Sequence, residues 1–249
     1  MTTRVIFLDL DGTLLGDDYS PEKAKPIVDE LVKRGYEVII NTSKTRFEVE
    51  YYLSAWRLEK PFVVENGSAV YVPEGHFLGD IIRDVTNLHR ENYWVMELGK
   101  SYIEIRAVLD VIAGDYGLKY YGNSTIGEVM AFTGLPEKLA RLAMMREYSE
   151  TIFRWKKQGF ERELSKNGLK TTRGTRFIGV TGNTDKGRGA KALLSLYSSL
   201  EKVESYAVGD GENDFPLFDV VDKAFIVGNL SHPKATHISS IDELLEVIP

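Results

Sequence analysis

Apolar runs alternate with amphipathic stretches over the first third of the chain. The runs are residues 5–8, 36–40, 61–64 and 68–72, which are apolar apart from Glu37 and Ser68. Residues 24–32 and 47–56 lie between them and carry apolar side chains at helical spacing. Continuous apolar runs are typical of parallel strands that are buried on both faces. The pattern therefore predicts a β-α-β-α-β unit of a doubly wound parallel sheet.

Proline and glycine mark the ends of these elements. Pro21 indicates the start of the first helix, but Pro26 would then stand too deep within it, so the helix begins either at Pro21 or near Pro26. The Asn66-Gly67 pair is typical of a hairpin turn and favours pairing of the runs that flank it.

The pattern changes near residue 80. Short strands are predicted at 93–98, 118–121, 148–155, 169–173 and 176–181. Few helices separate them: one over 105–112, one opened by the capping-box pair Thr125 and Glu128, one with Pro136 in its first turn, and one over 160–166. This clustering predicts an antiparallel α+β module.

Strands and helices alternate again after residue 182. The predicted elements are a helix over 186–200, strands over 205–208 and 224–227, a short helix over 213–220, and a helix from Ile241 with Ser240 and Glu243 at capping-box spacing. We predict an α/β domain of residues 1–80 and 182–249, interrupted by an α+β domain of residues 81–181. The cleft between two domains is a favoured place for a small-molecule site.

The composition limits the kinds of molecule that the protein is expected to bind. The 249 residues are 43% hydrophobic and 27% charged, with a net charge of −6 at pH 7. We expect no nucleic-acid or membrane partner, because there is no broad basic surface and the first apolar run is too short for a signal peptide or anchor. The absence of cysteine excludes disulfides and favours a cytoplasmic location.

Carboxylates follow two of the predicted strands. Asp9 and Asp11 would lie on the same side of the first strand, where their repulsion is costly without a cation or a shared proton. Asp210 and Asp214 follow the strand at 205–208. Each cluster alone is also compatible with an ordinary turn or surface loop. Together, hard oxygen ligands at two strand ends predict Mg²⁺ beside a phosphate.

Lys186 adds a positive charge at the predicted start of a helix. The helix dipole already places partial positive charge there, so a lysine is unfavourable unless an anion binds. An exposed surface lysine is the alternative. Beside the acids, Lys186 predicts a phosphate subsite.

The order of these residues resembles that of the haloacid dehalogenase-like (HAD) phosphatases. The matching motifs are Asp9-Leu10-Asp11-Gly12-Thr13, Thr42 after the second strand, Lys186 at the start of a later helix, and Gly209-Asp210 with Asn213-Asp214. The resemblance implies a doubly wound, Rossmann-like α/β core. The insertion resembles the α+β cap domain of the Cof-like subgroup, which carries substrate specificity.

The resemblance also implies a mechanism. Asp9 would attack phosphorus, and Asp11, kept protonated by the acids around it, would give a proton to the leaving alkoxide and later take one from water. The Mg²⁺ would be held by Asp9, the main-chain carbonyl of Asp11 and Asp210, with Asp214 as a further candidate ligand.

The remaining motif residues would bind the phosphate or orient the site. Thr42 and Lys186 would hold the phosphoryl oxygens, although Ser43 is an alternative to Thr42. Asn213 and Asp214 would orient Lys186 or metal-bound water.

Within the subgroup, the chain resembles the family of phosphatases that act on mannosyl-3-phosphoglycerate. The similar segments are NTSKTR at 41–46, ENGS at 65–68, YYGNST at 120–125, REYSET at 146–151 and GNTDKG at 182–187. The resemblance implies a phosphorylated glycoside as substrate and mannosylglycerate, a negatively charged compatible solute, as product. Candidates for binding its hydroxyls and carboxylate are Ser43, Lys44, Arg46, Asn66, Gly67, Ser68, Arg146, Tyr148, Arg176 and Asn213.

Three alternatives stay open at this point. A HAD phosphatase of broader sugar-phosphate specificity would share the core motifs. A phosphotransferase of the phosphohexomutase type would pass the phosphoryl group to a sugar instead of water. A non-catalytic binding protein would require loss of the nucleophile or the acid, and both Asp9 and Asp11 are present.

Overall fold

A computed structural model describes residues 2–86, 88–174 and 177–249, which form two β-sheets. The strands are β1 (Thr2–Leu8), β2 (Tyr36–Asn41), β3 (Phe62–Val64), β4 (Ala69–Pro73), β5 (His89–Arg90), β6 (Tyr93–Glu97), β7 (Lys119–Tyr120), β8 (Ser149–Arg154), β9 (Lys170–Arg173), β10 (Ile178–Thr181), β11 (Lys202–Gly209), β12 (Lys223–Val227) and β13 (Ala235–Ile238). The α-helices are α1 (Pro21–Lys33), α2 (Arg46–Trp56), α3 (Gly79–Arg83), α4 (Tyr102–Tyr116), α5 (Ile126–Thr133), α6 (Glu137–Met144), α7 (Phe160–Lys166), α8 (Lys186–Leu200), α9 (Phe215–Phe218) and α10 (Ile241–Val247).

The larger sheet has the order β13-β12-β11-β1-β2-β3-β4-β6-β5. Strands β13 to β3 in this order are parallel, and β4, β6 and β5 are antiparallel to their neighbours. Side chains of residues 5–8 are fully buried and contribute alternately to hydrophobic cores on the two faces of the sheet. The predicted doubly wound core is confirmed. Strand order reverses between β1 and β11, and ligands bind at such a point beyond the carboxyl ends of the strands.

Helix α1 begins at Pro21, so the alternative start near Pro26 is wrong. Pro26 lies inside the helix and lacks the N–H for one backbone hydrogen bond. The buried stripe that includes Ala24, Ile27 and Leu31 packs into the core on one face of the sheet. Packing of this stripe outweighs the lost hydrogen bond.

The hairpin between β3 and β4 is confirmed. Glu65, Asn66 and Gly67 form its turn, with φ angles of 49°, 56° and 79°. A Cβ atom on Gly67 would lie 1.8 Å from the carbonyl oxygen of Asp185, so only glycine fits there. The turn is therefore packed tightly against the start of α8.

The smaller sheet is antiparallel, with the order β7-β8-β10-β9, in agreement with the predicted α+β module. We refer to residues 102–181, which include this sheet and its helices, as the cap. Strand β6 was expected within the inserted module but pairs with β4 in the larger sheet. The free edge of β4 provides that pairing, which apolar periodicity does not reveal. The domain boundaries at 80/81 and 181/182 stay a prediction.

Two smaller expectations concern the helices. The capping box of Thr125 and Glu128 is confirmed, and Pro136 stands immediately before α6 as its N-cap. The box predicted for Ser240 and Glu243 is wrong, because Ser239 supplies the backbone N–H and hydroxyl that donate to Glu243. Among the described residues, no helix has the length and apolar character needed to cross a membrane.

Candidate active site

Three carboxylates meet beyond the carboxyl ends of β1 and β11. Asp9, Asp210 and Asp214 each offer an oxygen, and these oxygens lie within 4.8 Å of one another. Strands β1 and β11 are neighbours in parallel register, which brings Asp9 next to the loop of Asp210. Sequence reasoning predicted all three residues at this edge of the sheet, and the structure brings them together.

Lys186 contacts two of these three carboxylates. Its Nζ is 2.7 Å from Asp9 Oδ1 and 2.6 Å from Asp214 Oδ1, and its side chain is fully buried. Burial alone would lower the pKa of Lys186, but the Asp214 and Asp9 carboxylates outweigh burial and raise it. Lys186 is therefore a fixed positive charge at the first residue of α8.

Asp214 has both carboxylate oxygens engaged. Oδ1 pairs with Lys186, and Oδ2 accepts hydrogen bonds of 3.1 and 3.0 Å from the backbone N–H groups of Asp210 and Gly211. Asp214 thus fixes both Lys186 and the loop that presents Asp210. These contacts fit the expected orienting role, and direct metal ligation by Asp214 stays a prediction.

The group carries more negative than positive charge. Burial raises the pKa of Asp9 to about 8, with further increases from the Asp214 and Asp210 carboxylates and an opposing effect from Lys186. Burial and Asp214 also raise the pKa of Asp210. Three carboxylates face one ammonium, which leaves two negative charges uncompensated when all are ionised. An all-oxygen donor set with this surplus charge fits a divalent cation such as Mg²⁺.

Gly12 lets the loop after β1 approach Asp210 closely. Its φ is +78°, and an added Cβ atom would lie 2.2 Å from Asp210 Oδ2. Thr13 Oγ1 donates a 3.3 Å hydrogen bond to Asp210 Oδ1. A glycine is required here both for the backbone conformation and for the space that Asp210 occupies.

Asp11 has a partner that sequence reasoning missed. Lys44 Nζ lies 2.9 Å from Asp11 Oδ1 and 3.4 Å from Glu48 Oε1. Asp11 was expected to be surrounded by acids, and the structure adds a cation to its surroundings, because Lys44 from the loop after β2 reaches it. The Asp11 side chain is 45% exposed, so it can contact a bound ligand.

Thr42 and Ser43 differ in their surroundings. Thr42 is 1% exposed, and its Oγ1 accepts a 3.3 Å hydrogen bond from the Lys44 backbone N–H. Ser43 lines the large cavity described next. The choice between the two hydroxyls stays open.

A cavity of about 640 Å³ extends from the carboxylates to the cap. From the core, its wall includes Asp9, Asp11, Ser43, Lys44, Asn66, Asp210 and Asn213. From the cap, it includes Tyr121, Arg146, Ser149, Glu150, Thr151, Thr172 and Arg173. Polar groups of both charges converge on this space, which suits a polar ligand that carries an anionic group.

Some predicted ligand-binding residues lie outside the cavity wall. Arg46 is 5% exposed and forms ion pairs with Glu50, Glu91 and Glu147. Its side chain therefore joins core elements to the beginning of the cap strand β8.

Tyr148, Gly67 and Ser68 also have contacts away from the cavity. The Tyr148 hydroxyl donates to Glu97 Oε1 at 2.7 Å, and the Ser68 hydroxyl donates to the carbonyl of Glu65 at 2.7 Å. Gly67 packs against Asp185 as described. Arg176 lies outside the described residues.

Several residues of the site were not predicted individually. Glu65 and Glu150 are fully buried, and Glu150 lies in the cavity wall with Tyr121. A signal was present for Glu150, because it is an acid inside the predicted strand 148–155, where burial demands a partner. Its carboxylate accepts hydrogen bonds from the backbone N–H groups of Gly122 and Thr151.

Comparison with known proteins agrees with this geometry. The haloacid dehalogenase-like hydrolase family matches residues 6–110 and 121–241. Relatives from Pyrococcus furiosus and Pyrococcus horikoshii, each named mannosyl-3-phosphoglycerate phosphatase, are 54% identical over 245 residues, which is 98% of this chain and 99% of theirs. A Methanococcoides burtonii relative named glucosyl-3-phosphoglycerate/mannosyl-3-phosphoglycerate phosphatase is 38% identical over 232 residues, covering 90% of this chain and 84% of its own.

Solved structures share the fold at low sequence identity. A haloacid dehalogenase-like hydrolase from B. subtilis has a TM-score of 0.67 at 15% identity, with 96% of each chain covered. The family match spans most of the chain and includes both strands that present the carboxylates. This chain therefore belongs to the haloacid dehalogenase-like hydrolase family.

Proposed function

We propose that this enzyme is a Mg²⁺-dependent phosphatase that hydrolyses 2-O-(α-mannosyl)-3-phosphoglycerate to mannosylglycerate and phosphate. The observation that carries the proposal is the 54% identity, over 98% of this chain, to two relatives named for that activity. The cavity supports it, because carboxylates for phosphoryl transfer lie at one end and polar cap residues at the other. We also propose a cytoplasmic location, in line with the absence of cysteine.

Asp9 is the proposed nucleophile. Its carboxylate attacks phosphorus and forms an aspartyl-phosphate, which splits the displacement into two easier steps. Lys186 holds Asp9 by the 2.7 Å contact and carries a charge that stabilises the phosphoryl oxygens during transfer. The hydroxyl of Thr42 or Ser43 supplies a further hydrogen bond to those oxygens.

Asp11 is the proposed proton carrier. It gives a proton to the departing alkoxide and takes one from the water that hydrolyses the intermediate. Its contact with Lys44 must be exchanged for the substrate during this cycle, because Asp11 Oδ1 is held 2.9 Å from Lys44 Nζ. An incoming phosphate is an anion that competes with Asp11 for Lys44.

Asp9, the main-chain carbonyl of Asp11, and Asp210 are the proposed Mg²⁺ ligands, with Asp214 orienting the group. When bound, Mg²⁺ neutralises the surplus negative charge and lowers the repulsion between Asp9 and the phosphate. Thr13 and Asp214 keep Asp210 directed toward that position by the hydrogen bonds described above.

The other end of the cavity is proposed to recognise the mannosylglycerate part. Arg146 lies in its wall and suits the substrate carboxylate, since a guanidinium binds carboxylates through paired hydrogen bonds. Glu150 and Thr151 suit the sugar hydroxyls, which need both acceptors and donors.

A glucosyl substrate is the second candidate, favoured by the 38% identical relative whose name includes glucosyl-3-phosphoglycerate. Glucose and mannose differ only in the configuration at one hydroxyl, so one polar cavity can accept both. Broader sugar-phosphate hydrolysis and phosphohexomutase-type transfer keep the same core chemistry and change only the substrate or acceptor.

The test is phosphate release, with Mg²⁺, from mannosyl-3-phosphoglycerate, glucosyl-3-phosphoglycerate, mannose 6-phosphate and glucose 1-phosphate. We expect the highest kcat/KM for the mannosyl compound. Equal turnover of the two glycosyl-phosphoglycerates would support dual specificity, whereas better turnover of the hexose phosphates would contradict the substrate assignment. Transfer of phosphate to sugar with little free phosphate would identify a phosphotransferase.

A further inference from the structure

The turn that joins β3 to β4 contacts three segments of the site. The backbone N–H groups of Glu65 and Asn66 donate to the carbonyls of Lys44 and Thr42, each at 3.0 Å. The Asn66 side chain accepts from Asn213 at 3.2 Å, and the carbonyl of Gly67 accepts from Thr184 at 2.7 Å. This short turn therefore connects the loop after β2, the loop after β11 and the start of α8.

Glu65 is the member of this turn that reaches the cap. Its side chain is fully buried, and its carboxylate accepts backbone hydrogen bonds of 2.9 Å from Glu147 and 3.1 Å from Tyr148. A third hydrogen bond comes from the Ser149 hydroxyl. One carboxylate on the core thus binds three consecutive residues at the start of the cap strand β8.

The Ser149 hydroxyl links Glu65 to Arg146, because it donates a hydrogen bond to Glu65 and accepts one from Arg146. Arg146 Nη1 donates to Ser149 Oγ at 2.8 Å and to the carbonyl of Ser43 at 3.2 Å. Its Nε is buried without a hydrogen-bond partner, and its guanidinium carbon stands 5.4 Å from the ring centre of Tyr121. Arg146 is a cation in the cavity wall that is oriented by Ser149 and still has unused donors.

The backbone of the turn between β3 and β4 is strained where Glu65 contacts the cap. Glu65 and Asn66 both have positive φ values, of 49° and 56°, which non-glycine residues adopt at a cost of roughly 1–2 kcal/mol each. Such strain persists where the surroundings determine it, often at functional sites. Here it directs the Glu65 carboxylate toward β8 while Asn66 faces the cavity.

We infer that Glu65 is a positioning residue for substrate recognition: through Ser149 and the backbone of residues 147–148, it orients Arg146 toward the carboxylate of the substrate. This inference rests on the proposed function, because it takes a phosphate monoester with a carboxylate as the ligand. Glu65 itself does not contact the substrate. A substitution of Glu65 is therefore expected to weaken binding of the carboxylate-bearing substrate and to have little effect on phosphoryl transfer.

The test compares Glu65→Gln with the wild type on two substrates, mannosyl-3-phosphoglycerate and the carboxylate-free p-nitrophenyl phosphate. Glutamine keeps the size but removes the charge and one acceptor. We expect kcat/KM for the glycosyl substrate to fall roughly 10- to 100-fold, mainly through KM, as for loss of a charge-assisted hydrogen bond. Hydrolysis of p-nitrophenyl phosphate should change less than about threefold.

A double-mutant cycle with Arg146→Met separates positioning from general loosening of the protein. If Glu65 acts through Arg146, the double variant is no worse than Arg146→Met alone. Glu50→Gln is the matched control: it also removes a carboxylate from an ion-pair network that reaches the start of β8, through Arg46, but it lies outside the cavity wall and outside the contacts that join Glu65 to Arg146. It should leave the ratio of the two activities unchanged.

Equal losses on both substrates in Glu65→Gln, or additive effects in the cycle, would overturn the inference. If Glu65→Gln fails to fold, as judged by thermal unfolding, Ser149→Ala takes its place because it removes the hydroxyl between Glu65 and Arg146; an unchanged KM there would equally overturn it. A wild-type enzyme that hydrolyses p-nitrophenyl phosphate but not the glycosyl substrate would refute the proposed function, and the inference with it.

Discussion

Lys44 and Asp11 form an ion pair at the mouth of the site, with Nζ 2.9 Å from Oδ1. Lys44 is 5% exposed and also lies 3.4 Å from the fully enclosed carboxylate of Glu48. The burial of Lys44 would lower its pKa, but the Asp11 and Glu48 carboxylates outweigh burial and raise it. Lys44 is therefore charged and joins the proposed proton carrier to α2.

We predict that Lys44→Met reduces both stability and catalysis. Glu48 would be left as a buried carboxylate without its cation, which costs about 3 kcal/mol in unfolding free energy. Catalysis should fall because Asp11 loses its partner and the phosphate loses a cation. Denaturant unfolding and phosphate release measure the two effects. Lys25→Met, which removes an exposed pair with Asp29, is the control and should change stability by less than about 0.5 kcal/mol.

Asp9→Asn is expected to abolish turnover while the protein stays folded. An amide is a poor nucleophile and a weaker Mg²⁺ ligand, so phosphate release should fall by roughly 10³-fold or more. Without metal, the variant should be at least as stable as the wild type, because one of the uncompensated buried charges is gone. Asp17→Asn, at an exposed position of the same loop, is the matched control. Retained activity in Asp9→Asn would exclude Asp9 as the nucleophile.

Gly12→Ala should weaken Mg²⁺ binding. The new Cβ atom would collide with Asp210 Oδ2, and the φ of +78° disfavours alanine. We expect the Mg²⁺ concentration for half-maximal activity to rise at least about tenfold, since Asp210 must move from its position. At Gly16 in the same loop, the nearest atom to an added Cβ is Asp18 Oδ1 at 3.7 Å. Gly16→Ala should therefore bind Mg²⁺ like the wild type, and equal losses in both variants would contradict the argument.

His76 is expected to make stability depend on pH. Burial lowers the pKa of His76, and the charge of Lys60 lowers it further, while the carboxylates of Glu37 and Glu59 act in the opposite direction. The His76 ring also forms a 2.7 Å hydrogen bond with the Tyr197 hydroxyl. In the unfolded chain, His76 binds a proton near pH 6.5, whereas in the folded protein it does so only at lower pH. The free energy of unfolding therefore decreases as the pH falls below about 6.5. His76→Gln should reduce this loss in unfolding free energies measured from pH 5 to 8. Parallel curves for the two proteins would contradict the prediction.

The larger sheet was predictable because its central strands are buried on both faces. Residues 5–8 must be apolar without interruption, and this pattern is visible in one sequence. The two-residue strand β5 and the pairing of β6 with β4 were not visible, because a free strand edge, and not periodicity, decides them. Pro26 misled the prediction of α1 because packing overrode a local preference.

The acidic residues of the site were predictable because they follow the ends of strands. Asp9 and Asp210 follow apolar strands, and parallel strands deliver their ends to one edge. The directions of side chains were not predictable: Lys44 faces the cavity, whereas Arg46, two residues later, begins α2 and pairs with Glu147 on the cap. The role of Glu65 depends on a left-handed backbone angle and on contacts to residues 147–149, which no local pattern encodes.

The pairing of β1 with β11 has a consequence for biosynthesis. The two strands are in parallel register, with Thr2 opposite Lys202 and Leu8 opposite Val208. During translation, β1 therefore has one open edge until the ribosome has made β11, and an open apolar strand edge invites pairing with other chains. Until then the nascent chain carries Asp9, the proposed nucleophile, without Asp210 and Asp214 beside it. Catalysis and protection from aggregation are thus acquired together, late in synthesis, when β11 inserts beside β1.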